Sequence, residues 1–194
     1  GDDLAVNQAS VTDPDAYLAL YPRDGARVAR GEGSVSTLYR HDQAIPEILR
    51  VAPDVRIVIL LREPVERAHS AFAYLSVQGH EPAPSLLDAI ADEDRRVAEG
   101  WQHLWHYTGM SRYADSVAAF LDAFGPDRVG VWFYDQLRAD YPETLREVLR
   151  FIGTEPRPGE LDRVPVVNIS GTPRSRLVHG ALQAARDHEG VRRL

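Results

Sequence analysis

The stretch that most constrains the fold is VRIVILL at 55–61, followed at once by Arg62, Glu63 and Pro64. A short, almost continuous apolar run rich in β-branched residues reads as a strand of a parallel sheet, covered on both faces. Pro64 then stands where the first turn of a helix accepts proline, since its missing N–H has no intrahelical partner there. A helix over 64–75 follows, with Ala68, Ala71, Phe72 and Leu75 on its packed side. Strand, turn and helix in that order predict an α/β fold with a mainly parallel sheet.

The run RVGVWFY at 128–134 is a second buried strand. Helices are predicted over 14–21 with Asp13 as cap, over 44–51, 85–99 and 111–124, over 142–152 where Gly153 ends the run, and over 173–185. A short strand over 26–31 leads into the Gly-rich turn GEGS. Two well-marked strands are few for a closed core, so the sheet is expected to need a piece that precedes Gly1. No repeat, low-complexity tract or linker marks a second unit, and 194 residues suit a single domain over 1–194.

Composition removes several functions. A formal net charge of −7 argues against a nucleic-acid partner, which would call for a basic face. With no cysteine there is no disulfide, thiolate catalysis or iron–sulfur site, and a reducing compartment is compatible. No apolar run approaches the roughly 18–20 residues that span a bilayer. The start, GDDLAVNQASVTDPDAY, is polar and acidic, so no secretory signal is read and a cytoplasmic location is expected. All 22 basic residues are Arg. Within this chain, then, no Schiff-base, Walker or general-base lysine can act.

In an open α/β sheet, ligands bind beyond the C-terminal strand ends, where helix N-termini present unpaired N–H groups. Arg62 lies there, with a guanidinium that can grip phosphate in a two-point fork and keeps its charge. Ser70, eight residues on, offers a hydroxyl towards the same anion. Structural roles compete: Arg62 can pair with Glu63 or Glu66, and Ser70 can be a back-bonded or solvent-facing helix serine.

The stretch RIVILLREPVERAHSAFAYL resembles the 3′-phosphate-binding segment of sulfotransferases that use 3′-phosphoadenosine-5′-phosphosulfate (PAPS). There an apolar strand precedes Leu-Arg-x-Pro and an Arg-Ala-x-Ser helix. The resemblance implies that Arg62 and Ser70 hold the 3′-phosphate. A second stretch, SRYADSVAAFLDAFGPDRVGVWFYDQLRADYPETLREVLRFIGTEP, is similar to the later half of bacterial and Golgi-type sulfotransferase domains. Its landmarks are Tyr113, Phe124, the strand at 129–134, the turn at 135–137 and Phe151–Gly153 at the end of a helix. From this likeness follow a P-loop-like three-layer fold, with helices flanking the sheet, and a bacterial enzyme. It would transfer a sulfuryl group from PAPS to a hydroxyl or amine of a small molecule, carbohydrate or natural product, releasing PAP (adenosine 3′,5′-bisphosphate).

Sulfuryl transfer needs the acceptor deprotonated as it attacks sulfur, and a nearby carboxylate can serve as general base. Glu32, in RGEGSVSTLY, resembles the base of glycan-type sulfotransferases, which lies in a pattern like Glu-x-Ser-x-x-Tyr; Ser34 and Tyr39 follow it here at slightly longer spacing. His41 is the nearest histidine and the weaker alternative. The patch WQHLWHY, with Trp101, His103, Trp105, His106 and Tyr107, reads either as an acceptor-stacking wall or as a half-buried helix surface. Its histidines lack a third ligand, so no metal is expected. The loop NISGTPRSR resembles a late basic loop of the family, which makes Arg174 and Arg176 further nucleotide-binding candidates.

One departure from the family stands out. The Gly/Ser/Thr-rich loop with a lysine that holds the 5′-phosphosulfate has no counterpart here, and the family pattern would place it before Gly1. Two alternatives therefore stay open: a non-catalytic PAP-binding homologue, and a P-loop-like nucleotide or sugar kinase, although no GxxxxGK[ST] loop is visible. The sequence leaves the oligomeric state open.

Overall fold

The computed structural model describes residues 11, 13–21, 29–156, 159 and 161. Arg174, Arg176 and the helix predicted over 173–185 lie outside the described residues. In chain order the elements are helices α1 (Pro14–Ala19) and α2 (His41–Val51), strand β1 (Ile57–Leu61), and helices α3 (Pro64–Val77), α4 (Leu86–Ala91) and α5 (Glu93–Ala98). Two 3-10 turns, His103–Trp105 and Gly109–Ser111, lead to α6 (Ala114–Phe124), β2 (Val129–Phe133), α7 (Tyr134–Ala139) and α8 (Tyr141–Phe151).

Among the described residues the sheet has two strands, β1 and β2, and they are parallel, as the sequence predicts. The register pairs Ile57 with Val129 and Leu61 with Phe133. It therefore sets Arg62 beside Tyr134, each the first residue beyond its strand. Because successive strand residues face opposite sides, Ile59, Leu61 and Val129 turn to one face, where they form a buried cluster with Phe120 and Phe124 of α6. Those two rings, one helical turn apart, stack with centroids at 5.9 Å. Each is almost fully buried, worth about 1.5–3 kcal/mol of apolar burial. Ile45 and Ile48 bring α2 against the same cluster.

On the opposite face α8 covers β2. Trp132 packs its ring against Phe151 at 5.4 Å and donates its indole N–H to Glu147. Gly130 is required beneath that contact, since a Cβ there would lie 2.3 Å from the Trp132 ring. Asp140 caps α8 by accepting the Glu143 N–H at 3.0 Å, and Gly153, at φ +83°, ends it.

Five features differ from the sequence expectations. Coverage of β1 on both faces does not hold: Val58 and Leu60 are 43% and 50% exposed, on the face where α8 packs against Trp132 of β2. The helix expected over 85–99 is two helices that meet at Asp92, whose carboxylate is drawn to Arg95 and Arg96. Helix α2 begins at His41, ahead of the expected start at 44, and carries Pro46 inside it. The described part of the strand expected over 26–31 has no regular structure, and α7 was not anticipated. Among the described residues, no helix is long and apolar enough to cross a membrane.

Candidate active site

Arg62 leaves the C-terminal end of β1 and turns straight into α3. Glu63 caps that helix by accepting the Glu66 N–H at 2.7 Å, and Pro64 occupies its first position. The Arg62 guanidinium lies 4.9 Å from the Tyr134 ring centre, the neighbour that the strand register provides. Its Nε–H donates to Glu66 at 3.3 Å, so the helix-end ion pair foreseen as the structural alternative does form. This contact is long, single-point and partly exposed, a kind worth about 0.3–0.5 kcal/mol. Among the described residues, neither Nη group of Arg62 has a partner.

Arg62 opens onto a cleft of about 480 Å³ between β1 and the segment 34–39. Ile57–Leu60 form one wall, and Ser34, Tyr39, Met110 and Tyr113 are among the residues facing it. Three arginines line it, Arg62, Arg67 and Arg112, and no carboxylate does. In a chain with a net charge of −7, this is a local reversal of sign that favours an anionic ligand.

The far wall is held by polar contacts. From α3, Arg67 donates through Nε to Ser111 Oγ at 2.6 Å and through Nη2 to the Tyr107 carbonyl at 2.6 Å. Burial pushes its pKa down, although the neighbouring Tyr113, Glu93 and Tyr107 oppose the shift. Glu93, itself buried, accepts from the Thr108 N–H, the Thr108 hydroxyl and the Gly109 N–H at 2.8–2.9 Å. His106 Nε2 meets the Trp101 carbonyl at 3.1 Å, so Nε2 carries the proton and Nδ1 accepts from the Tyr39 hydroxyl at 2.9 Å. Beneath this wall Arg96 is locked to Glu81 through both Nη groups at 2.8–3.0 Å, and the Tyr107 hydroxyl donates to Glu81 as well. Burial pushes the Glu81 carboxyl up, but hydrogen bonds from Arg96, Tyr107 and the Ala83 N–H outweigh it and leave the group below its usual range.

Of the sequence-predicted residues, Arg62 lines the cleft. Ser70 lies half-buried on α3, outside the cleft lining. Glu32 is exposed in the GEGS turn, two residues before Ser34, which does face the cleft. The Glu32 charge also helps to raise the Tyr17 pKa, behind the larger contributions of the Tyr21 hydrogen bond and burial, which places Glu32 near α1. His41 is tied to Ser116 through Nδ1 at 3.1 Å. The WQHLWHY patch is half-buried over residues 101–105, with a 3-10 turn at His103–Trp105, while His106 and Tyr107 are buried and Trp101 packs edge-on against Trp105. Arg112 and Tyr113 were not singled out as binding residues, nor was Arg67, because only the tertiary fold brings them to one cleft.

A model described as the sulfotransferase family matches residues 10–158. Among solved structures, the chain is similar to the crystal structure of a sulfotransferase from Alicyclobacillus acidocaldarius. The two are 31% identical, with a TM-score of 0.73 over 95% of this chain and 72% of that one. No curated protein matches.

Proposed function

The chain belongs to the sulfotransferase family, and from that premise we propose that it works on PAPS, with Arg62 gripping the 3′-phosphate of the nucleotide. The observation that carries this reading is Arg62 itself, a cation at the strand end with both Nη groups unpaired, opening onto a cleft lined by arginines without a carboxylate. Two unpaired N–H donors on a planar fork match two phosphate oxygens. Ser70 on the same helix is proposed as a second ligand of that phosphate. Arg174 and Arg176 are proposed as later cationic contacts to the nucleotide.

In the proposed reaction a hydroxyl or amine of a small-molecule, carbohydrate or natural-product acceptor attacks sulfur. Its bond to sulfur forms as the bond from sulfur to the 5′-phosphate oxygen breaks. Glu32 takes the acceptor proton, and PAP leaves with the electron pair. The exposed position of Glu32 leaves it open to an incoming acceptor. The protein is read as a bacterial, cytoplasmic enzyme that needs no metal.

Substituting Glu32→Gln keeps shape and removes the base. The expected result is a fall in turnover by about 10²–10⁴-fold with PAP affinity unchanged. Turnover that survives the substitution would remove Glu32 from the mechanism. Binding of PAP by a chain whose wild-type form shows no transfer to any acceptor would instead favour a non-catalytic PAP-binding homologue.

A further inference from the structure

Apart from its three arginines, the cleft is walled mainly by apolar side chains. Val58 and Leu60 line it from β1, and both are exposed there. From the segment 34–39, Val35 lines it with 75% of its surface exposed, and the half-buried Leu38 and Met110 complete the wall. Bare apolar side chains that converge on one cleft mark a surface that a ligand covers. We infer that this wall holds the acceptor, and that the acceptor is an apolar alcohol or phenol rather than a carbohydrate. The inference rests on the PAPS reading of the site and narrows its acceptor class.

Chain connectivity brings the wall to the proposed base. Val35 is three residues after Glu32, so their α-carbons lie within about 11 Å of each other whatever the turn between them. The segment that follows is fixed. Ser34 Oγ meets Ser36 Oγ at 3.0 Å, the Arg40 N–H donates to the Ser36 carbonyl at 2.8 Å, and Tyr39 is joined to His106 at 2.9 Å. An acceptor whose hydroxyl reaches Glu32 therefore meets a held segment that presents Val35 and Leu38 to the cleft.

The polar groups of the cleft suit a sugar poorly. A carbohydrate carries several hydroxyls, and each one taken out of water costs free energy unless it finds a partner. Among the described residues that line the cleft, no Asp, Glu, Asn, Gln or His side chain is present to accept from them. Three of the lining hydroxyls already have partners: Ser34 with Ser36, Tyr39 with His106, and Ser116 with His41. Arg67 is tied to Ser111 and Tyr107. An acceptor with one hydroxyl on an apolar body needs one polar partner, which is the base, and the walls cover the rest. Its oxygen bonds to sulfur, Glu32 takes the proton and PAP leaves, so that the product is an alkyl or aryl sulfate.

The test is calorimetric titration of the purified protein, with and without saturating PAP, using 2-naphthol and N-acetylglucosamine as probes. 2-Naphthol is expected to bind at least about tenfold more tightly than the sugar, and PAP should not weaken it. Val35→Ser and Leu60→Ser should each weaken 2-naphthol by about three- to tenfold. Leu87→Ser, at a residue 78% exposed outside the cleft lining, should change nothing. Because Val35 and Leu60 are exposed, the melting temperatures should match wild type; if Leu60→Ser lowers its own, Val35→Ser decides. Preference for the sugar, no binding of 2-naphthol, or wild-type affinity in both cleft variants overturns the inference. So does an equal loss in Leu87→Ser, which would make the binding non-specific. Displacement of 2-naphthol by PAP also overturns it and gives the apolar wall to the adenine ring. All of these leave the PAPS reading standing while PAP itself binds. A protein that does not bind PAP overturns that reading, and the acceptor role of the wall with it.

Discussion

Two groups of arginine, one buried around Arg96 and one lining the cleft, are wired in opposite ways. Beneath it Arg96 is 1% exposed and meets Glu81, also buried, and Asp92, so that each of its nitrogens has a carboxylate oxygen. In the cleft, Arg62 has one long contact to a carboxylate and Arg112 has none. A buried cation must be compensated by the protein, since taking an unpaired charge out of water costs several kcal/mol. A cation at the edge of a cleft pays little for its solitude and keeps its donors for a ligand. The paired cluster holds the wall, while Arg62 and Arg112 keep free donors in the cleft.

The contrast is broken most severely at its buried pole. Arg96→Ala leaves Glu81 as a buried charge without its main partner and is expected to destabilise the fold by about 3–5 kcal/mol, read by urea denaturation. A loss below about 1 kcal/mol would show that water reaches Glu81 and that the two clusters differ less than their geometry suggests.

A smaller effect sharpens the comparison through pH. Burial lowers the His106 pKa from 6.5, opposed in part by the Trp101 carbonyl and Glu93, and burial likewise lowers that of His103. Both rings are held neutral in the fold and protonate more readily in the unfolded chain. Their contribution to stability is complete above pH 6.5 and is lost as pH falls through the depressed folded values. A falling melting temperature between about pH 7 and 5 should therefore precede the loss of the Glu81 contribution, which begins only as pH falls below 4.5. A flat profile in that interval would mean that the wall yields to a charged imidazole without cost.

How much of this was legible in the sequence depends on distance along the chain. The strand at 57–61, the proline-started helix and the second strand follow from local periodicity and turn chemistry, so they were read to within a few residues. Arg62 was legible for the same reason, since a strand end is a local place. The break at Asp92 was not, because Arg95 and Arg96 are good helix formers and the 85–99 window reads as one amphipathic run. The pairing of Glu81 with Arg96, the bracing of Tyr107 by Arg67 and the arrival of Arg112 at the β1 cleft join residues that lie far apart in sequence. Nothing local distinguishes an arginine that will find a carboxylate from one that will not. For Glu32 the fold adds proximity to the cleft through Ser34, while its role stays a proposal.

The central claim is that Arg62 at the end of β1, whose Nη groups have no partner among the described residues, selects a nucleotide by its 3′-phosphate. Titrating the wild-type protein and Arg62→Ala with PAP and with 5′-AMP, which lacks that phosphate, tests it most directly. Wild type should prefer PAP, and Arg62→Ala should lose about 1.5–3 kcal/mol of PAP binding while its weaker binding of 5′-AMP stays the same. Equal affinity of the wild-type protein for the two nucleotides, or an Arg62→Ala variant that binds PAP as wild type does, would contradict the account.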